Sequence, residues 1–177
     1  RYKAEELVYL LDNSDAEVVF FQSCYAMRIW EVKDQLSKVK AYIQIDDGTE
    51  ALLSGALDYE RSIRSLDKLP RQERDTQGTY MLYTGGTTGM PKGVMYEVGA
   101  FAGRFIDMTA AEMELDHPNS FEEYRNFLSK IESPLVSLPA CPLMHGTGMW
   151  LGGFLPLLSG GCVVMTSTLG INPDLLL

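Results

Sequence analysis

Tyr83-Thr84-Gly85-Gly86-Thr87-Thr88-Gly89-Met90-Pro91-Lys92-Gly93-Val94 decides how the rest of this chain is read. Between Thr84 and Lys92, nine positions hold three glycines, three threonines and one lysine. Glycine lets backbone N–H groups approach a bulky anion with no Cβ in the way. Successive N–H groups in a turn form a concave nest for phosphate oxygens. Threonine hydroxyls donate to the same oxygens or ligate Mg²⁺, and lysine adds a point charge. The stretch is chemically a nucleotide-phosphate loop.

Two familiar phosphate loops do not fit. A Walker A loop needs Gly before its Lys and Ser or Thr after it, whereas Pro91 precedes Lys92 and Gly93 follows. That disfavours a conventional P-loop NTPase. A dinucleotide fingerprint runs from a G-x-G-x-x-G turn into a helix. Here the glycines fall in another register, and Val94-Met95-Tyr96 continues as a short β-like run. The loop is predicted to join two strands with no helix dipole behind it, which leaves more of the anion binding to side chains.

The stretch resembles the phosphate-loop signature of the adenylate-forming superfamily, which comprises acyl-CoA synthetases, luciferases and peptide-synthetase adenylation domains. Gly85 is a departure, since relatives often carry Ser or Thr there. The Gly-Gly-Thr-Thr-Gly-Met variant most resembles bacterial fatty-acyl-CoA synthetases. A second stretch, Pro142-Leu143-Met144-His145-Gly146, is similar to the family's next motif, whose His lies beside the acyl substrate; Met144 stands where many relatives have Phe. The resemblance implies that Thr84, Gly85, Gly86, Thr87, Thr88, Gly89 and Lys92 hold the β- and γ-phosphates of ATP. It makes Thr84 the candidate Mg²⁺ ligand. Lys92 would neutralise the pyrophosphate leaving group, and His145, Gly146 and Trp150 would meet the acyl group. The implied chemistry has two steps: a carboxylate attacks the α-phosphate of Mg·ATP, then a thiol, usually that of coenzyme A, displaces AMP.

The remaining sequence sets the frame. Its 177 residues, 46% hydrophobic and 22% charged, suit a globular domain with a real core. A net charge of −9 argues against a nucleic-acid surface. No apolar run approaches the length of a membrane span, and no signal peptide is legible. Cys24, Cys141 and Cys162 are scattered without metal-ligand spacing. They read as buried reduced thiols, consistent with a cytoplasmic protein, and none reads as a nucleophile.

Hydrophobic spacing predicts a helix over 4–11, a strand over 17–21, and a second helix with Ile29, Val32, Leu36 and Val39 on one face. A strand over 41–45 and a third helix from Glu50 to about Arg64 follow. This rhythm implies an α/β fold, a parallel or mixed sheet with crossover helices. Beyond a polar connection at 66–78 come a strand over 79–83, the loop, and a helix over 99–115 with Phe101, Phe105, Met108 and Glu112 around it. Ser120 and Glu123 form a capping-box pattern opening a helix with Phe121, Tyr124, Leu128 and Ile131 as its stripe. His117 reads as an exposed loop residue. A strand over 135–138, a helix over 149–158 and a β run over 162–165 complete the chain. Repeats and low-complexity segments are absent.

The family's adenine-binding segment, its Mg²⁺-binding Glu, its ribose-binding Asp and its C-terminal-domain Lys have no counterpart here. The expectation is therefore an incomplete N-terminal, ATP- and acyl-binding domain over 1–177 with the C-terminal domain absent, inactive by itself. Two alternatives stand beside the acyl-CoA synthetase: a peptide-synthetase-type adenylation domain and a non-catalytic nucleotide-binding module. The partners implied are ATP, a carboxylic acid and coenzyme A. The identity of the acid and the oligomeric state are not legible.

Overall fold

A computed structural model of the chain describes residues 2–70, 77–85 and 89–166. They fall into two compact units, Arg1–Glu73 with Tyr83–Val94 and Arg74–Leu82 with Met95–Leu177.

The first unit is a small α/β layer. Helix α1 (Ala4–Asn13) carries Glu5 and Glu6 in its first turn, where they complement the helix dipole. The Glu6 carboxylate also accepts from the Lys3 N–H at 2.8 Å. Strand β1 (Val18–Gln22) alternates with period two: Val19 and Phe21 are 7% exposed, whereas Val18 and Phe20 are 47% and 57% exposed. Strand β2 (Ala41–Ile45) lies parallel to β1, from Val18↔Ala41 to Gln22↔Ile45. The short β3 (Leu57–Asp58) lies parallel to β2, so the order is β1-β2-β3. Helix α2 (Ala26–Val32) makes the first crossover and buries Ala26, Ile29 and Val32. Leu7 and Leu11 of α1 pack against the same core.

Two expectations need correcting in this unit. The second helix ends at Val32 and tightens into a 3₁₀ turn, Lys33–Gln35, although Leu36 is still buried and Val39 still packs against the core. The third helix is only α3 (Tyr59–Arg64), capped by Asp58, whose Oδ1 accepts from the Arg61 N–H at 2.7 Å. Residues 50–56 are not helical because Gln44 and Gly55 direct that backbone elsewhere. The buried Gln44 donates to the Ala51 carbonyl (3.0 Å) and the Ser23 hydroxyl (2.9 Å), and accepts from the Leu53 N–H (2.8 Å). Gly55 turns the chain at φ +84°, a left-handed conformation costly to other residues.

Strands β4 (Thr79–Thr84) and β5 (Lys92–Glu97) pair with each other on either side of the Gly-rich loop. The expected strand–loop–strand order holds, and β5 begins at Lys92 itself.

In the second unit, α4 (Val98–Glu112) buries Phe105, Thr109 and Ala110; Met108 and Glu112 are exposed, contrary to the expected stripe. Helix α5 (Phe121–Ser129) starts as the capping pattern predicts, with Ser120 Oγ accepting from the Glu123 N–H at 3.1 Å. The reciprocal bond is displaced by one residue, since Glu123 accepts from the Asn119 N–H at 2.7 Å. Of the expected stripe only Ile131 is fully buried, Tyr124 and Leu128 are partly buried and Phe121 is exposed; Phe127, outside that stripe, is buried and packs with Ile131 and Ala110. His117 is exposed, and its Nδ1 lies 2.6 Å from Asp107 Oδ1. Strands β6 (Val136–Ser137) and β7 (Cys162–Val163) pair in parallel. The helix expected over 149–158 is a π-helix, Thr147–Phe154, continued by the short α6 (Leu155–Leu158).

The cysteines are free, but Cys24, Cys141 and Cys162 are all exposed, which corrects their reading as buried thiols. Apolar neighbours in sequence do not bury a residue in a turn or at a strand edge. Among the described residues, no helix is long and apolar enough to cross a membrane.

Candidate functional site

The glycine-rich stretch between the end of β4 and the start of β5 belongs to the first unit, Tyr83–Val94. Thr84 is exposed, and its Oγ1 donates to the Lys92 main-chain carbonyl at 3.3 Å. Gly89 has φ +105°, a conformation that L side chains rarely adopt, and nothing lies within 4 Å of a Cβ built there. The glycine is thus demanded by the turn and not by crowding. Pro91 is buried while Lys92 is exposed. Among the described residues, no ion pair engages the Lys92 ammonium. Gly86, Thr87 and Thr88 lie outside the described residues.

Just before the loop, the Tyr83 hydroxyl donates to Asn13 Oδ1 at 2.6 Å. Burial, with smaller contributions from Tyr9 and Asp15, raises the Tyr83 pKa above its ordinary 10.0, so the phenol stays protonated and able to donate.

The donor set suits a magnesium–triphosphate. No group of three or more His, Cys, Asp or Glu side chains could hold a metal among the described residues. Mg²⁺ often binds through one or two protein oxygens plus substrate phosphates. Thr84 Oγ1, while donating to a carbonyl, keeps lone pairs for such a cation.

The second motif belongs to the other unit. The His145 side chain is exposed. Its backbone fixes the turn into the helical segment: the N–H donates to the Pro142 carbonyl (3.0 Å), and the carbonyl accepts from the Met149 N–H (2.9 Å). The π-helix that follows is a rare form, found most often at functional sites. Two glycines make room, one against the preceding loop and one beneath the Trp150 ring. A Cβ on Gly148 would stand 2.3 Å from the Pro142 carbonyl oxygen, and one on Gly146 would meet the Trp150 ring at 3.2 Å.

Trp150 packs edge-on against Tyr96 and Phe101, with ring centroids 5.3 and 5.4 Å away. Its Nε1 is buried and has no hydrogen-bond partner among the described residues. Tyr80 and Phe154 extend the aromatic cluster around Phe101. An apolar cavity of about 290 Å³ opens there, lined by Tyr80, Phe101, Phe154, Leu157 and Leu158 among others. The sequence reading named Trp150 but missed its aromatic companions. Tyr80 and Tyr96, on the two strands flanking the loop, were the available signal.

A model of the AMP-binding enzyme family matches residues 1–176. The chain belongs to the AMP-binding enzyme family. Among its curated relatives, the medium-chain acyl-CoA ligase Mig of Mycobacterium avium is 35% identical over 157 residues, covering 85% of this chain and 27% of the relative. The 3-oxocholest-4-en-26-oate–CoA ligase of Rhodococcus rhodochrous is 34% identical over 172 residues, covering 93% and 30%. The chain therefore spans about three-tenths of the length of these relatives. Among solved structures, the anthranilate CoA ligase AuaEII in complex with anthranoyl-AMP superposes with a TM-score of 0.67 at 21% identity, covering 95% of this chain and 29% of that one. ATP-bound MatB from Rhodopseudomonas palustris gives 0.65 at 18%, covering 99% and 30%. At these identities the structural likeness shows the fold: that of adenylate-forming enzymes.

Proposed function

We propose that this chain is the phosphate-loop part of the ATP- and acyl-binding domain of an acyl-CoA ligase that activates a fatty or other hydrophobic acid. The exposed pairing of Thr84 and Lys92 across a glycine-rich loop carries this reading. It is supported by two acyl-CoA ligase relatives at 34–35% identity. The aromatic packing of Trp150 on Tyr96 and Phe101, and the apolar cavity beside Phe101, favour a hydrophobic acid.

In the first step a substrate carboxylate attacks the α-phosphate of ATP, the bond to the β-phosphate breaks, and pyrophosphate leaves. Lys92 neutralises the charge that builds on that leaving group. Backbone N–H groups and hydroxyls over 84–89 hold the β- and γ-phosphates, with Thr84, Gly85, Gly86, Thr87, Thr88 and Gly89 as the residues concerned. Catalysis of this step is positioning and charge neutralisation. Thr84, with the phosphates, would hold Mg²⁺, which when bound would supply further neutralisation. His145 and Gly146 sit beside the acyl group and Trp150 walls its site. In the second step the thiol of coenzyme A attacks the acyl carbon and displaces AMP. The three free, exposed cysteines suit a reducing, cytoplasmic setting.

Acid-dependent ATP–pyrophosphate exchange, followed by thioester formation with coenzyme A, tests the proposal on the intact protein. Exchange that needs a hydrophobic acid is the expected result; ATP binding without exchange for any acid would sink the ligase reading. Residues 1–177 alone are expected to give no exchange.

A further inference from the structure

Strand β4 hands the chain to the phosphate loop at Tyr83, whose hydroxyl bonds Asn13 from 70 positions away. Asn13 is the last residue of α1, and that helix end is fixed from several sides. The Ser14 N–H donates to the Leu10 carbonyl and the Ala16 N–H to the Leu11 carbonyl, both at 3.1 Å. Lys38 Nζ donates to the Asp12 carbonyl and to Asp15 Oδ1, each at 2.8 Å, and lies 3.1 Å from Asp12 Oδ1. One turn back, Leu11 packs into the core beside Val19 and Phe21. Asn13 therefore presents its amide oxygen from a rigid platform to the residue at which the loop begins.

We infer that the Asn13–Tyr83 bond anchors the first end of the phosphate loop, which makes Asn13 a positioning residue for ATP binding. The inference rests on the phosphate-loop reading above. Ordering glycine costs more conformational freedom than ordering any other residue. Fixing one end beforehand removes part of that cost from the binding step. The other end is tied to Thr84 through the Lys92 carbonyl, so the two hydrogen bonds hold the loop at both roots. Burial keeps the Tyr83 phenol protonated, so the anchor persists through neutral and mildly alkaline pH. A bond that merely stapled the fold would leave the response to ATP untouched.

Asn13→Ala, Asn13→Asp, Tyr83→Phe and the Ala/Phe double variant, made in the intact protein, separate these roles. KM for ATP and kcat are read from acid-dependent pyrophosphate exchange. Hydrogen exchange at the Gly85, Gly89, Met90 and Lys92 amides is read without ligand. Asn13→Ala and Tyr83→Phe should each raise KM for ATP about three- to tenfold, the loss expected for one hydrogen bond, with kcat little changed. The double variant should be no worse than either single one, because the same bond is lost. Asn13→Asp keeps an acceptor oxygen and should restore wild-type KM. The loop amides should exchange faster in Asn13→Ala alone of the two Asn13 variants. Unchanged KM and unchanged loop exchange, with only a lowered unfolding midpoint, would overturn the inference and leave the ligase reading standing. Absence of exchange in the unmodified protein would overturn the ligase reading and this inference together.

Discussion

Thr84 Oγ1 donates to the Lys92 carbonyl at 3.3 Å, so the hydroxyl that opens the phosphate loop rests on the residue that closes it. Hydroxyl bonds are typically shorter, about 2.7–2.8 Å. Thr84→Val keeps the shape and removes the oxygen. It should lower acid-dependent exchange by roughly 10–10³-fold while leaving the unfolding midpoint within about 0.5 kcal/mol of wild type. Thr84→Ser should recover most of the rate, and steady-state kinetics with a denaturation curve would check both halves.

Gly148 is required by space. An added Cβ would lie 2.3 Å from the Pro142 carbonyl oxygen and 2.6 Å from that of Cys141, both backbone atoms that cannot swing aside. Gly148→Ala should therefore cost about 1–3 kcal/mol, measured as a shift in urea midpoint. Gly85→Ala, with nothing within 4 Å, is the control and should leave stability nearly unchanged.

Gln44 is almost fully buried, and its amide engages Ser23, Ala51 and Leu53 at once. Gln44→Leu would take the side-chain partner from the Ala51 carbonyl and the Leu53 N–H. The expected loss is about 1–3 kcal/mol, with faster amide exchange at Leu53. A variant as stable as wild type, with Leu53 still protected, would contradict the account of why residues 50–56 are not helical.

Asp47 carries the clearest pH signature. The Thr49 hydroxyl and backbone N–H, together with the Cys24 N–H, donate to its carboxylate and lower its pKa from 3.8 to about 2. A carboxylate depressed in the folded state adds stability that is fully present above its unfolded pKa and is lost as pH falls through the folded one. The window thus runs from just above 3.8 down to about 2. Carbon-detected NMR titration of Asp47 should give an inflection near the lower value, and Thr49→Ala should move it upward.

Much of this architecture was legible because it is written in short-range patterns. The short β-branched and aromatic runs over 17–21 and 41–45 located β1 and β2 to within a residue. Ser120 announced α5 for a local reason, a cap made within three residues. The misjudged places depend on partners distant in sequence. Residues 50–56 look helical until Gln44 takes their backbone groups. The cysteines look buried until the turn at Cys24 and the edge at Cys162 are seen to face outward. At the candidate site, Thr84 and Lys92 could be singled out because their chemistry is carried by residue type and spacing. The Tyr83–Asn13 bond could not, as nothing local at Asn13 marks it as an acceptor. The π-helix at Thr147–Phe154 was equally hidden, since its Gly148 answers to the Pro142 and Cys141 carbonyls of the preceding loop.

Acid-dependent ATP–pyrophosphate exchange by the intact protein, with and without Lys92→Ala, tests the central claim most directly. A medium- or long-chain fatty acid serves as the hydrophobic acid and acetate as the comparison. The account predicts exchange that requires the hydrophobic acid and falls roughly 10²–10³-fold on removal of the Lys92 ammonium, with the unfolding midpoint unchanged. Exchange of equal rate in Lys92→Ala, or none from the unmodified protein with any acid, would contradict it.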